Sequence, residues 1–332
     1  MRVKEIMQMM NWIKQQTSKQ QTIKQQTSKQ TPGSALMLAL TLMLTLLVGL
    51  TPATANAATL RTDLLVTTDW LTAHLNDANL VILHVSRDRT AYDAGHVPGA
   101  RFIGQGELVV TREGVLNELP TVDALKALFE KAGVTDASRV ILYSDATVLP
   151  ATRAYFTLDY LGFGDKAALL DGGLTKWKAE MRTVSQEAPV VVAGRMTPKV
   201  KAAVLATMES VKPLTAAGAG MTLLDARTAD EFAGKNAAAE ITRPGHIPNS
   251  KSVFWMEGLA SRQDMSLQTE AQLRRLYEAA GITPDKPVVT YCNTGMQATQ
   301  SYFTLKYLGY DVKMYDGSFS EWSNAKGTEV AK

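Results

Sequence analysis

One cysteine, Cys292, and four histidines are the only thiol and imidazole groups in these 332 residues. A single cysteine excludes an internal disulfide. The cysteine and histidines form no spaced cluster of the kind that grips zinc, so no metal is expected. No Gly-rich phosphate loop occurs, in the Lys201–Lys212 stretch or elsewhere, so no nucleotide cofactor is expected. Charge of one sign is also scarce: 35 Lys and Arg stand against 32 Asp and Glu. The small basic excess lies before position 58, where Arg2, Lys4, Lys14, Lys19, Lys24 and Lys29 face only Glu5. The body is near neutral, which leaves no electrostatic case for a nucleic-acid partner. What the chain does have is apolar content, 45%, enough for sizeable cores.

The first 57 residues read as an export signal. A polar segment carries KQQTSKQ twice, an uncharged apolar run extends from Ala35 to Leu50, and Pro52 and Ala55-Asn56-Ala57 follow as an A-x-A cleavage site. The run is at the short end for a membrane span. Cleavage after Ala57 is expected, leaving a periplasmic or secreted chain without a membrane span. A lone thiol in that setting is either buried and inert or chemically used.

The remainder is a duplicated unit. VILHVSRDRTAYDAGHVPGA (81–100) matches TLLDARTADEFAGK…RPGHIPNS (222–250), RVILYSDATVLPATRAYFTLDYLGF (139–163) matches PVVTYCNTGMQATQSYFTLKYLGY (287–310), and LLDGGLTKWKAE (169–180) matches MYDGSFSEWSNA (314–325). Each copy has the size of a domain. The expected boundaries are 58–182 and 199–332, with 183–198 as linker. In the second copy, short apolar runs at 221–225, 251–254, 287–291 and 312–315 read as buried strands, and helices are expected over 270–280 and 296–308. Alternating strands and helices predict an α/β fold, a mainly parallel sheet flanked by helices on both faces in each copy.

Cys292 directly follows the strand ending at Tyr291, and a helix begins a few residues later. Ligand sites in parallel sheets lie at the carboxyl ends of strands. Amides at a helix N-terminus have no intrahelical partner and favour an anion, so the thiolate is expected to be stabilised and its pKa lowered. Gly295 permits a positive φ, letting the loop curl its amides round the sulfur. Asn293 and Thr294 suit a solvent-facing turn.

These residues resemble the tandem-domain rhodanese family, the thiosulfate/3-mercaptopyruvate sulfurtransferases. The resemblance runs from about Leu64 to Ala325 and rests on DAR (225–227), GHIP (245–248), CNTGMQ (292–297), YLGY (307–310) and DGSFSEW (316–322), in the family's order. It implies two rhodanese-like domains and no cofactor beyond a cysteine persulfide. Cys292 would take sulfane sulfur from a small donor and pass it to a thiophilic acceptor, cyanide or a thiol, a protein thiol included. Asn293, Thr294, Gly295, Met296 and Gln297 would cradle the persulfide. Where the family carries basic residues or Gly-Ser after the cysteine, this chain has Asn293 and Thr294, and Met296-Gln297 stands where Val-Thr is usual. The donor is therefore open between the thiosulfate and mercaptopyruvate classes. The first copy has Asp145 or, with one residue inserted, Ser144 opposite Cys292, and His84 opposite Asp225, so it is expected to be catalytically inactive.

Arg243 and Arg227 are candidate contacts for an anionic donor; the Asp225–Arg227 element is mainly architectural in the family. His96 and His246, in matching turns, read as structural. Asp171 and Asp316 fit turn or N-cap duty, and Trp177 and Trp322 fit core anchors. Trp255 and Met256 fit either a cleft wall or the core. A phosphatase on this architecture would need a cation in the loop, and no Arg or Lys occurs between Cys292 and Lys306. A non-enzymatic sulfur carrier or docking module is the remaining alternative.

Overall fold

The structure, a computed structural model, describes residues 58–332; the apolar run and the Ala55-Asn56-Ala57 site lie outside the described residues. Among the described residues no helix is long and apolar enough to cross a membrane.

The first half contains β1 (Leu65–Val66), α1 (Thr68–His74), β2 (Leu80–Ser86), α2 (Thr90–Ala94), β3 (Arg101–Gly104), β4 (Val110–Arg112), β5 (Val115–Glu118), α3 (Val122–Lys131), β6 (Arg139–Tyr143), α4 (Leu149–Tyr160), β7 (Ala167–Leu170) and α5 (Gly173–Ala179). The second contains β8 (Leu205–Ala206), α6 (Met208–Val211), β9 (Thr222–Asp225), α7 (Ala229–Phe232), β10 (Lys251–Ser252), α8 (Glu270–Ala279), β11 (Val288–Tyr291), α9 (Gln297–Tyr307), β12 (Val312–Tyr315) and α10 (Ser318–Asn324). Between Ala179 and Ala202 the chain forms no helix or strand beyond one bridge, from Ser185 to His96.

Each half builds one five-stranded sheet, ordered β1-β7-β6-β2-β3 and β8-β12-β11-β9-β10, the same order twice. Every pairing within the two sheets is parallel. The central strands are short and buried on both faces, as parallel strands covered by helices must be. The strand expected over 251–254 stops at Ser252, because a 3-10 turn, Trp255–Gly258, begins shortly after and carries Trp255 into the core.

One apolar cluster fills the space between the two sheets and takes in α3, α4, α8 and α9. Smaller clusters back each sheet on its outer face, around Trp177 and around Trp322. Each indole is buried, and each donates its N–H to a backbone oxygen, of Thr183 and Glu329, at 2.8 Å. The matching histidines also behave alike: His96 stacks on Tyr92 and His246 on Phe232, with ring centroids 3.7 and 3.6 Å apart. Each makes a bridge to the segment that follows its own domain's last helix.

The halves meet across α4 and α9 with local two-fold symmetry. The hydroxyls of the equivalent residues Thr152 and Thr299 lie 2.7 Å apart. Tyr155 sits edge-on to Phe303 and Phe156 edge-on to Tyr302. Each half also lends a strand-end loop to the other. The Leu119 amide, just after the β4–β5 hairpin, donates to Asp316, and the Leu267 amide, beside the Leu259–Leu267 bridge, donates to Asp171.

Candidate active site

β11 delivers Cys292 to the carboxyl edge of the second sheet, and α9 starts at Gln297. Cys292 is 1% exposed. Burial pushes its thiol above the ordinary range, while the backbone amides of Ala298, Thr294, Gly295 and Gln297 pull it back without prevailing. The expected lowering of the resting pKa is thus reversed in sign, because the sulfur is deeper than a solvent-facing turn would place it. Of the loop residues expected to cradle the sulfur, Thr294, Gly295 and Gln297 act on it through their amides, joined by Ala298 from the first turn of α9.

Gly295 holds φ at +80°, and a Cβ there would come within 2.5 Å of the Asp316 backbone oxygen. Only glycine fits that approach. The segment after β12 locks the loop from behind. Phe319 and Ser320 donate their amides to the Cys292 and Asn293 carbonyls, each at 2.9 Å. The Cys292 amide donates to Ser318 Oγ at 3.2 Å.

The first half supplies the other support. Arg153, fully buried on α4, donates to Asp316 Oδ1 at 2.6 Å, to the Asn117 carbonyl at 2.7 Å and to the Gly295 carbonyl at 3.4 Å. Asn117, at the end of the hairpin, donates its side-chain amide to Thr294 Oγ1 at 2.8 Å. Asp316 therefore does more than shape a turn: it joins the two halves under the cysteine loop. Asn293 is tied sideways, donating to Glu231 Oε1 at 2.7 Å. Burial pushes the Glu231 carboxyl up, but hydrogen bonds from Asn293 and Thr228 hold it below the usual range, so it stays ionised.

An open cleft of about 500 Å³ lies over the sulfur. The second half lines it with Cys292, Asn293, Thr294, Met296, Gln297 and Glu240; the first half adds Arg87, Gln105, Gly106, Asn117 and Leu149. Asn293 Oδ1 and Gln297 Oε1 are buried acceptors without a donor, available to an N–H or O–H group on a ligand. Among the described residues Arg87 is the one basic side chain lining the cleft. It follows the carboxyl end of β2, a position the strand-end rule flags. Reading cations only in the cysteine's own loop misses it.

The two arginines named as candidate donor contacts do not line the cleft. Arg227 is buried against Asp225, with Nη2 on Oδ2 at 2.5 Å, and donates to the Gly245 carbonyl. Arg243 caps the end of α10, donating to the carbonyls of Ser323, Trp322, Ala325 and Thr328. Both guanidiniums are occupied inside the fold, so the donor-binding role expected of them is replaced by an architectural one. Among the described residues no group of three metal-ligating side chains occurs.

The first half repeats the frame without the thiol. Leu174 donates its amide to the Ser144 carbonyl as Phe319 does to Cys292, and the Ala151 amide donates to Ser144 Oγ at 2.9 Å. Ser144, not Asp145, is therefore the counterpart of Cys292, with one residue inserted in the loop. Asp145 pairs with buried His84 at 3.4 Å, and that hydrogen bond holds its carboxyl down to about 2.

Comparison with known proteins agrees with this architecture. The Rhodanese-like domain family matches residues 67–180 and again 207–325. The chain is 34% identical over 285 residues to the "Sulfur carrier protein TtuD" of Thermus thermophilus, covering 81% of this chain and 97% of that one. It is 32% identical over 280 residues to a "Putative thiosulfate sulfurtransferase" of Saccharopolyspora erythraea, covering 81% and 96%. Among solved structures, wild-type EanB superposes with a TM-score of 0.72 at 21% identity, covering 81% of this chain and 69% of that one. YnjE gives 0.71 at 24% identity, covering 81% and 68%. With two matched domains and a cysteine loop framed by both halves, the chain belongs to the rhodanese sulfurtransferase family as a tandem-domain member.

Proposed function

We propose that this protein moves sulfane sulfur from a small anionic donor to a thiophilic acceptor through a persulfide on Cys292, outside the cytoplasm. The observation that carries the reading is a buried cysteine at the carboxyl end of a central parallel strand, in a loop framed by both halves and lining a cleft. The Cys292 thiolate attacks the outer sulfur of the donor; with thiosulfate, the S–S bond breaks and sulfite leaves with the electron pair. The product is an anionic persulfide whose terminal sulfur meets the amides, which need no reorganisation to stabilise it. Cyanide or a thiolate then attacks that terminal sulfur, and Cys292 leaves as thiolate. Two displacements on one enzyme imply ping-pong kinetics. Arg87 supports the choice of an anionic donor, because it places a cation over the cleft that the loop lacks.

Incubation with thiosulfate or 3-mercaptopyruvate should add about 32 Da at Cys292, removable by cyanide. Cys292→Ser should lower transfer by roughly 10³-fold or more. Transfer by that variant at the wild-type rate would overturn the reading. A second reading, that the loaded protein is itself the delivered carrier, draws on the relative named a sulfur carrier. Single loading without steady-state turnover across a panel of donors and acceptors would favour it.

A further inference from the structure

Away from the cleft, the least satisfied charge in the described residues is Arg101, at the start of β3. Its Nε and Nη1 are buried and have no hydrogen-bond partner. Burial alone acts on its pKa, downward, with no carboxylate offsetting it. Buried donors left without acceptors are rare in native folds, and a guanidinium presents them to carboxylates and phosphates in particular. Arg101 lines a cavity of about 320 Å³ beside Lys131 and Arg89. Among the described residues Glu107 is the one acidic side chain lining it, and its Oε2 already accepts from the Gly104 amide at 2.9 Å. Phe102, Leu128 and the linker residues Pro189 and Val191 supply an apolar wall. The Arg89 guanidinium lies over the Phe102 and Tyr92 rings, 5.1 and 4.8 Å from their centroids.

We infer that this cavity binds a small organic anion, whose carboxylate or phosphate accepts from Arg101 and Lys131 while its apolar body lies against Phe102 and the linker. Arg101 and Lys131 against one engaged carboxylate select the charge, Arg89 being paired with Asp93 at 3.0 Å, and the apolar wall selects an organic body over a bare ion. The site is separate from the sulfur cleft and shares no lining residue with it. One turn, Gln105–Leu108, borders both: Gln105 and Gly106 face the cleft and Glu107 faces this cavity. The inference stands whether or not Cys292 transfers sulfur.

Calorimetric titration of the full chain with phenyl phosphate, benzoate and inorganic phosphate, at constant ionic strength, tests it. One saturable site is expected, with at least one aromatic anion tighter than inorganic phosphate; which of the two binds better identifies the anionic group. Arg101→Met should weaken binding by about tenfold or more, and Cys292→Ser should leave it unchanged. Lys131→Met, on the exposed side of α3, keeps the test alive if Arg101→Met does not fold, and should weaken binding severalfold. Absence of saturable heat with all three probes would overturn the inference. So would binding undiminished in the variants, or binding lost with Cys292→Ser.

Discussion

The two strand-end loops, at Ser144 and at Cys292, share a backbone and differ in chemistry. Each residue follows a central parallel strand, each carbonyl accepts from the helix after the next strand, and each neighbouring tyrosine hydroxyl accepts an amide, from Val97 in one half and Ile247 in the other. Over Cys292 there is a cleft of about 500 Å³. The space beside Ser144 is about 20 Å³, closed by Met265 from the opposite half. The ion pairs diverge as well. Asp316 holds Arg153 across the domain boundary, whereas Asp171 holds Lys176 of its own half. Gln300, the counterpart of Arg153, turns its amide to Thr304. The two loops therefore differ less in the strand–loop–helix frame than in what the other half places above and beneath it.

Arg153→Gln makes the two sides alike and should have the largest effect. Removing one partner of a buried ion pair leaves Asp316 uncompensated and should cost about 3 kcal/mol or more; chemical denaturation measures it. Donor turnover should fall with it, since the Gly295 carbonyl and the hairpin lose their anchor. Full activity and stability would show that the frame alone suffices.

Arg87→Ala removes the cation that the first half lends to the cleft. The KM for thiosulfate should rise by roughly tenfold while kcat changes little, because an exposed guanidinium attracts the donor without touching the transferred sulfur. An unchanged KM would return the donor's recognition to the second half alone.

A smaller effect concerns the resting thiol. Its pKa is raised by burial, so the thiolate fraction is low at neutral pH and grows as pH rises. Alkylation of Cys292 by iodoacetamide should climb about tenfold per unit between roughly pH 7 and 8.5, with no plateau in that range. A plateau near neutrality would mean that the amides prevail over burial. Ser144→Cys offers the reciprocal test and the smallest change. The new thiol should accept no sulfur from thiosulfate and should alkylate more slowly than Cys292, with stability altered by no more than about 1 kcal/mol. Persulfide formation at position 144 would show that the first cavity opens.

Much of this was legible in the primary structure. The repeat, the short buried strands near Thr222–Asp225 and Val288–Tyr291, and the helices starting at Glu270 and Gln297 follow from local pattern, with ends within a residue or two. The cysteine's place at a strand end and the need for Gly295 were equally local. Arg153 was not visible, because it looks like one more residue of a helix in the half without the cysteine, and its partner Asp316 lies 163 positions away. Asn117, Gln105 and Glu240 have no motif and acquire meaning only where the halves meet. Arg243 misled for the opposite reason: an arginine beside a loop turn resembles an anion contact, and only the fold reveals the carbonyls of α10 that take up its donors. The sign of the thiol's shift depended on depth, which no spacing encodes.

The hydroxyl contact between Thr152 and Thr299 marks the axis on which two equal subunits would have met. In a symmetric pair of identical chains, a guanidinium at the Arg153 position would appear twice, and two buried cations would each demand a carboxylate. Joining the copies in one polypeptide releases that obligation. One copy keeps arginine and the other carries glutamine, so the interior has a single guanidinium to neutralise there, and one half can carry the support on which the other half's cysteine loop rests.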